Sequence, residues 1–278
     1  MKEPHASEHP GDSPDSQDSR RFGGVQRVYG AAGVARIRNS HVCVIGVGGV
    51  GSWAVESLAR SGIGSITMID MDIVSASNIN RQLHATSSTL GRDKVLVMQE
   101  RVAEINPACR VAIVDDFIAA DNVSDYIQQH FDFVVDCIDD FRTKAAIIAH
   151  CRQNGVNIIT TGGAGGQIDP GRVEIADLSR TRQDVLLART RKLLRQEFGF
   201  TRDPHKRFHV PCVYSDEQLV YPDGDGGLSS QRPAPEGSAG CRLNALNCAG
   251  GIGSVAHVTA TFGLFATGFV LRELAHAS

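Results

Sequence analysis

The stretch VCVIGVGGVGS, residues 42–52, joins an apolar run to a loop with four glycines. Val42–Ile45 predicts a short buried strand, and the residues after Gly51 predict a helix because apolar side chains recur at helical spacing. Gly46, Gly48 and Gly51 match G-x-G-x-x-G between that strand and that helix. Such glycines permit a tight turn and let backbone N–H groups approach a phosphate at the helix N-terminus. The stretch therefore predicts a nucleotide-binding unit of strand, loop and helix.

Strand and helix patterns alternate along the chain after this unit. The predicted strands are 66–69, 110–116, 131–140 and 157–163, and the predicted helices are 92–105, 121–129 and 141–153. Alternation of this kind favours an α/β, Rossmann-like, doubly wound and mostly parallel sheet. The pattern then changes to a mixed C-terminal extension, with a strand at 172–179, an amphipathic helix at 184–198, a loop at 199–240 and an apolar helix at about 250–275.

Composition limits the class of protein. The 278 residues are 42% hydrophobic, enough for a full core, and the net charge of −3 gives no global attraction for nucleic acid. Seven cysteines form no CxxC pair, so we expect reduced thiols and no zinc site. Residues 1–20 are rich in Ser, Asp and Pro, and we expect this tail to be disordered.

The apolar segment 250–271 has no charged side chain and is long enough to span a membrane. It also contains five glycines and several threonines, which favour a buried helix that packs closely on its neighbours. We therefore expect a cytoplasmic protein with no obligate membrane partner, in which hydropathy alone misassigns this segment as a transmembrane helix.

Asp70 ends the second predicted strand, where an acid can accept hydrogen bonds from a ribose hydroxyl. This arrangement serves NAD and ATP equally, so an NAD-dependent oxidoreductase remains an alternative at this point. The next loop carries Asn78, Arg81 and Gln82, and Lys94 begins the following helix. Cations are needed where a carboxylate attacks a triphosphate, because two anions must meet. Arg81 and Lys94 therefore favour ATP and are the predicted catalytic cations.

Carboxylates follow the fourth predicted strand in DCIDD, residues 136–140. They emerge at the carboxyl edge of the sheet, where ligands of doubly wound folds bind. Asp139 is the predicted magnesium ligand, and magnesium uses few protein ligands beside phosphates. Asp136 and Asp140 are the alternatives, and Asp140 also suits a cap of the next helix.

The combination of GVGGVG, ID-x-D, N-x-NRQ, GRDK and DCIDD resembles the ubiquitin-activating-type adenylating family. Further blocks, TTGGAGGQIDP (160–170), PCVYSDEQLVYP (211–222) and TATFG (259–263), are similar to its tRNA threonylcarbamoyladenosine dehydratases. The resemblance runs from about residue 20 to the end. It implies one adenylating domain, 21–278, with a nucleotide-binding core at about 41–166 and a substrate and dimer region at about 167–278.

The resemblance implies ATP-dependent cyclisation of N6-threonylcarbamoyladenosine in tRNA. The threonyl carboxylate attacks the α-phosphate, and the neighbouring carbamoyl oxygen then closes a ring and releases AMP, with net loss of water. The alternative within the family is adenylation of the C-terminus of a ubiquitin-like sulfur-carrier protein. The enzymes of that class commonly carry two zinc-binding CxxC pairs, and their absence from this sequence argues against it.

Carried over residue by residue, the resemblance assigns ligand roles to positions of this sequence. The residues at the ATP phosphates, ribose and magnesium are Gly46, Gly48, Gly49, Gly51, Asp70, Asn78, Arg81, Lys94 and Asp139. Arg27 corresponds to an arginine that reaches the ATP of the other subunit in a homodimer. The cofactors implied are ATP and magnesium. The family association leaves open a monovalent cation and a cysteine desulfurase or sulfur-acceptor system as a partner.

A basic run at 189–209 is by itself typical of a solvated face, and only the resemblance makes it the predicted place where tRNA is held. On a helix, Arg191, Lys192 and Arg195 share one face while Leu187 and Leu194 face the core. With the resemblance, these three cations are the predicted tRNA contacts.

Single cysteines raise the question of a covalent intermediate. Relatives that form a thioester use a loop cysteine, and Cys212 and Cys248 are the candidates here. We expect structural thiols instead, because an intramolecular cyclisation needs no covalent carrier.

Overall fold

The computed structural model describes residues 14–128, 130–223, 226–231 and 252–277. The helices are α1 (Pro14–Asn39), α2 (Gly51–Arg60), α3 (Lys94–Ile105), α4 (Val123–Tyr126), α5 (Phe141–Asn154), α6 (Val185–Glu197) and α7 (Ala256–His276). The strands are β1 (His41–Ile45), β2 (Ser65–Ile69), β3 (Arg110–Val114), β4 (Phe133–Asp136), β5 (Ile158–Thr161), β6 (Val173–Asp177), β7 (Pro211–Ser215), β8 (Tyr221–Pro222) and β9 (Leu228–Ser229).

Seven of the described strands form one sheet in the order β3-β2-β1-β4-β5-β7-β6. All neighbouring pairs are parallel except β6 with β7. The doubly wound, mostly parallel sheet with a mixed C-terminal extension is therefore confirmed. Strand order reverses between β1 and β4, and such a reversal opens a crevice at the carboxyl ends of the two strands.

Two hydrophobic layers cover the two faces of the sheet. Val42 and Val44 of β1 face a layer that includes residues of α2, α3 and α7. Cys43 and Ile45 face the opposite layer, built with α5 and α6. Alternate residues of a strand point to opposite faces, so the unbroken apolar run at 42–45 reflects burial on both sides.

The segment predicted as a loop at 199–240 contains three short strands, and one of them lies inside the main sheet. Strand β7 pairs with β5 on one side and with β6 on the other. The loop prediction was wrong here because the buried run 212–215 is only four residues long within a segment rich in Pro, Gly, Ser and charge. Residues 224–225 and 232–240 lie outside the described part.

Helix α1 was not predicted, and its first residues lie within the N-terminal tail. Residues 14–20, within the tail for which we expected disorder, belong to this helix, while residues 1–13 lie outside the described part. Pro14 suits a first helical position because its fixed φ is already helical. Arg21 then ties the helix to α3 by donating to the carbonyls of Glu104 and Ile105, at 3.2 and 3.1 Å. Gly30, with φ 72°, breaks α1 into two helical stretches.

Two other helices differ in extent from their predictions. The helix predicted at 121–129 is a single turn, Val123–Tyr126, and residue 129 lies outside the described part. The C-terminal helix begins at Ala256 rather than near residue 250.

Helix α7 is the described helix that is long and apolar enough to cross a membrane. Its residues Val258, Phe262, Ala266 and Val270 are fully buried in the layer that also holds α2. At Gly263 an added Cβ would lie 2.5 Å from the carbonyl oxygen of Val50, so the two backbones are in close contact. The small residues of α7 thus permit close packing between helices.

Candidate nucleotide-binding site

The carboxyl ends of the central strands lie level with one another. Ile45 of β1 pairs with Ile69 of β2 and with Asp136 of β4. The loops that follow continue this pairing, since the Gly46 N–H donates to Ile69 O and the Cys137 N–H donates to Ile45 O, both at 2.9 Å. The glycine loop, the loop after β2 and the DCIDD turn therefore meet at one edge.

The glycine positions of the loop differ in whether the structure could accept a side chain there. Gly46 has φ 82°, a left-handed conformation that favours glycine. At Gly51 an added Cβ would lie 1.8 Å from the carbonyl oxygen of Gly46, so a side chain cannot be accommodated. Gly48 has room, because the nearest atom to an added Cβ is Nε2 of Gln82 at 3.8 Å. Gly46 and Gly51 shape the turn, whereas Gly48 lies on its open side.

Asp70 ties the end of β2 to the glycine loop. Its Oδ2 accepts a hydrogen bond from the Val47 N–H at 2.6 Å, and its Oδ1 accepts one from the Asp72 N–H at 2.9 Å. Burial raises the pKa of Asp70, and the nearby charge of Lys94 partly opposes that shift. The Asp70 carboxylate therefore holds the glycine loop against the end of β2.

The loop after β2 is organised by Asn78. Its buried side chain accepts a hydrogen bond from the Ser75 N–H at 3.0 Å, and its carbonyl accepts from the N–H groups of Arg81 and Gln82. The carbonyl of Arg81 in turn accepts from Nε1 of Trp53 on α2, at 3.1 Å. The loop is thereby attached to the helix that follows the glycines.

Arg81 lies along the glycine loop. The nearest heavy atoms to a Cβ added at Gly49 include Cγ and Cδ of Arg81, at 3.4 and 3.5 Å. Nη1 of Arg81 donates to the carbonyl of Ser77 at 2.6 Å and to Oδ1 of Asn80 at 2.9 Å. These two contacts hold the guanidinium beside the crevice.

Lys94 begins α3 and points into the same region. Its side chain is only 6% exposed, and Nζ forms an ion pair at 2.6 Å with Asp72, which is 69% exposed. A phosphate that binds Nζ of Lys94 must therefore share the positive charge of Lys94 with Asp72.

The three carboxylates of DCIDD have separate surroundings. Asp136 and Lys144 are fully buried and form an ion pair at 2.8 Å, and Oδ2 of Asp136 also accepts from Thr160 Oγ1 at 2.6 Å. Asp140 caps α5 by accepting from the N–H groups of Arg142 and Thr143. Asp139 is exposed at the crevice. Of the three, only Asp139 is free of a structural task, which fits a magnesium ligand and leaves Asp136 unsuited to that role.

A resident metal would have few protein ligands at this edge. No group of three His, Cys, Asp or Glu side chains is arranged to hold a metal within the described residues. One exposed carboxylate beside a phosphate-binding loop fits magnesium, which is usually held by one or two carboxylates together with substrate phosphates and waters.

Several buried polar side chains at this edge carry atoms without a hydrogen-bond partner. They are Oε1 of Gln82, both ring nitrogens of His84, and Oε1 of Gln167. Burial and the nearby charge of Lys94 lower the pKa of His84 to about 4. Sequence reasoning named Gln82 as part of the loop but missed His84, Gln167 and Lys144. The NRQLH run and the TTGGAGGQ block contain the first two, but neither pattern reveals burial.

The loop after β5 and the start of α7 complete the edge. Nε2 of Gln167 donates to the carbonyl of Gly163 at 2.9 Å, and the ring of His257 contacts the carbonyl of Ile168 at 3.0 Å. Asn80 Nδ2 donates to the carbonyl of Ser254 at 2.7 Å, which links the residues just before α7 to the loop of Arg81.

The predicted tRNA contacts on α6 are partly engaged within the protein. Leu187 and Leu194 are buried as expected. Arg191 donates to Oγ1 of Thr181, and burial, with Arg195 nearby, lowers its pKa. Arg195 donates to the carbonyl of Thr201 at 3.3 Å, while Lys192 is exposed.

Three further predicted residues lie away from the crevice loops or outside the described part. Arg27 is exposed on α1. Cys212 is fully buried in β7, and burial raises the pKa of its thiol well above the usual range, as expected of a structural cysteine. Cys248 lies outside the described residues.

Comparison with known proteins identifies the family. Residues 20–173 match the model of the ThiF family. The tRNA threonylcarbamoyladenosine dehydratase of Haemophilus influenzae is 49% identical over 255 residues, which are 92% of this chain and 93% of that protein. The chain belongs to the ThiF family, in its tRNA threonylcarbamoyladenosine dehydratase branch.

Solved structures of this branch of the ThiF family agree with the fold. The Escherichia coli enzyme is 46% identical over 255 residues. Its structure in complex with ATP has a TM-score of 0.80 and 44% identity, and the match covers 92% of this chain and 94% of that one. A structure of the same enzyme in complex with AMP has the same coverage and TM-score. The predicted relationship is thus confirmed over nearly the whole chain.

Proposed function

We propose that this chain is an ATP-dependent tRNA threonylcarbamoyladenosine dehydratase. The observation that carries the proposal is the 49% identity over 92% of the chain to an enzyme of that name, together with the ATP complex of a 44% identical relative. The crevice described above contains the phosphate-binding loop and the two cations that such a reaction needs.

The first step joins two anions. The threonyl carboxylate attacks the α-phosphorus of ATP, the bond to the β-phosphate oxygen breaks, and pyrophosphate leaves. Arg81 and Lys94 neutralise the triphosphate, and each charge-assisted contact contributes about 1.5–3 kcal/mol. Asp139 would hold a magnesium ion at this edge, and when bound that ion would supply further neutralisation of the phosphates.

The second step is intramolecular. The neighbouring carbamoyl group attacks the acyl carbon of the adenylate, AMP leaves, and the ring closes with net loss of water. Oriented intramolecular reactions reach effective molarities of about 10⁵–10⁸ M. The chain therefore needs chiefly to align the substrate, and no cysteine has to carry it.

The remaining crevice residues position the nucleotide. Gly46, Gly48, Gly49 and Gly51 allow backbone N–H groups to reach the phosphates, and Asp70 accepts from the ribose. Asn78 keeps Arg81 in place through the hydrogen bonds of its loop.

Assembly and location are part of the same proposal. The enzyme is a cytoplasmic homodimer in which Arg27 reaches the ATP of the other subunit, an idea supported by its exposure on α1. A monovalent cation and a cysteine desulfurase or sulfur-acceptor system remain expectations from the family association alone. Arg191, Lys192 and Arg195 are the proposed tRNA contacts on α6, and exposed Lys192 is the most accessible.

The decisive experiment is mass spectrometry of tRNA nucleosides after incubation with the purified protein, with and without ATP. We expect N6-threonylcarbamoyladenosine to be converted to a product lighter by one water, with one AMP formed per product, only when ATP is present. Carrier-dependent exchange between ATP and pyrophosphate with no change in tRNA would instead support the sulfur-carrier alternative. Tight NAD binding without ATP binding would support an oxidoreductase.

A further inference from the structure

The C-terminal part of the basic run 189–209 lines a surface outside the nucleotide crevice, separate from the cations of α6. An open groove of about 670 Å³ runs between the C-terminal end of α5 and the chain that follows α6. Its charged lining consists of Arg152, Lys206 and Arg207, accompanied by His205 and His209. None of the described residues that line it is acidic.

The base of the groove is held in one conformation. Phe200 and Phe208 pack edge to face, with ring centroids 5.0 Å apart. The guanidinium of Arg195 lies 5.1 Å above the ring of Phe208 and also donates to the Thr201 carbonyl. Arg180 donates to the carbonyl of His205 at 3.0 Å. Because these contacts lie beneath the loop, the cations above it are presented from a fixed base.

The charges of the groove are available to a ligand. Arg152, Lys206 and Arg207 are exposed. The nearest acid in the loop, Asp203, is occupied in a turn, where its Oδ1 accepts from the His205 N–H at 2.8 Å. Phe208 is buried and Phe200 packs against it, so these two rings offer no open stacking platform for bases. This chemistry suits the phosphates of a polyanion.

The position of the groove indicates a large ligand. Helix α5 begins at the crevice, directly after Asp139 and Asp140, and ends at Asn154 after 14 residues. An α-helix of this length spans about 21 Å, so Arg152 lies near the opposite edge of the sheet. A nucleotide bound at the crevice cannot reach both ends of α5, whereas a folded RNA can.

We propose that this groove binds backbone phosphates of the substrate tRNA, at a distance from the nucleoside that reacts in the crevice. The proposal rests on the proposed function and adds a surface that α6 alone does not provide. Lys206 and Arg207 supply two phosphate contacts and Arg152 a third. These contacts position the tRNA without reading its sequence.

The test neutralises two cations of the groove. Lys206→Gln/Arg207→Gln is compared with Arg110→Gln/Arg272→Gln, which removes the same charge from exposed sites on β3 and α7. We expect the groove variant to raise the Kd for tRNA by about tenfold or more at physiological salt. The slope of log Kd against log salt should fall by about 2, since each phosphate contact contributes about 0.9. ATP affinity and the kcat at saturating tRNA should not change.

A second variant guards against a local folding defect in the loop. Arg152→Gln changes a regular helix rather than the loop, and we expect it to lower the salt slope by about 1. Equal tRNA affinity and salt slope in the groove variants and the control would overturn the proposal. Failure of the proposed function has a different signature, because wild-type protein would then form no AMP in response to tRNA.

Discussion

Asp136 and Lys144 form a fully buried ion pair directly beneath the turn that carries Asp139. Oδ1 of Asp136 accepts from the Ile138 N–H at 3.2 Å, while Oδ2 holds Lys144 and Thr160. Loss of one partner leaves an unpaired charge in the core, which costs about 3–5 kcal/mol. We predict that Lys144→Met lowers the free energy of unfolding by that amount, measured by urea denaturation.

A double variant separates the cost of an unpaired charge from a loss of packing. Lys144→Met combined with Asp136→Asn removes both charges, and it should recover part of the lost stability. A single variant as stable as the wild type would show that the pair is not buried as described.

His84 predicts a specific sensitivity to acid. Its pKa is about 4 in the folded protein and about 6.5 in an unfolded chain, so between these values the unfolded state binds more protons. Stability is therefore lost as pH falls from about 6.5 towards 4, and the His84 contribution is about 2 kcal/mol by pH 5. We predict that His84→Phe loses less stability than the wild type between pH 7 and pH 5, measured by urea unfolding.

His276, exposed near the end of α7, provides the matched control. His276→Gln should keep the acid sensitivity of the wild type. An unchanged loss of stability in His84→Phe would mean that His84 is protonated as readily in the folded protein as in the unfolded chain.

At the scale of elements, the glycine loop depends on two glycines for different reasons. An added Cβ at Gly51 would clash with the Gly46 carbonyl, whereas the nearest atom to a Cβ added at Gly48 lies 3.8 Å away. We predict that Gly51→Ala abolishes ATP binding and lowers the thermal midpoint by several degrees, while Gly48→Ala keeps the fold. Calorimetry and ATP titration of both variants provide the measurement, and equal behaviour of the two would contradict the loop geometry.

Elements whose signals are local in sequence were predictable. The strand, loop and helix at 42–60 were correct because apolar periodicity and glycine spacing both act within a few residues. Strand β7 was not predictable, because its four buried residues are defined by pairing with β5 and β6 rather than by their neighbours. Helix α1 was missed because its apolar face is narrow, although it contributes Phe22 and Ile37 to the core.

The candidate site shows the same difference between local signals, which could be predicted, and long-range contacts, which could not. Its residue types could be predicted from motifs, since cations after the second strand and acids after the fourth indicate chemistry directly. The ion-pair partners of these residues within the protein could not be predicted. The ion pair of Lys94 with Asp72 spans 22 residues, and that of Lys144 with Asp136 depends on the turn between β4 and α5.

At the scale of the whole molecule, the sheet brings three loops together at its carboxyl edge. A second surface lies near the opposite edge, so one large substrate can contact both. The crevice at the carboxyl edge binds the nucleotide and the reacting nucleoside, and the groove near the opposite edge binds tRNA phosphates, in the function proposed here. Helix α7, apolar enough for a membrane, instead covers one face of the sheet. Its His257, and the Ser254 carbonyl just before it, lie at the edge.

The central claim is electrostatic: Arg81 and Lys94 allow a carboxylate to approach the α-phosphorus of ATP. The most direct measurement is single-turnover AMP formation by Arg81→Ala/Lys94→Ala at saturating ATP and tRNA, with Arg110→Ala/Arg272→Ala as the control for lost positive charge. Two charge-assisted contacts of at least about 1.5 kcal/mol each predict that the rate falls by more than about a hundredfold in the site variant and stays unchanged in the control. AMP formation at the wild-type rate in the site variant would contradict the claim.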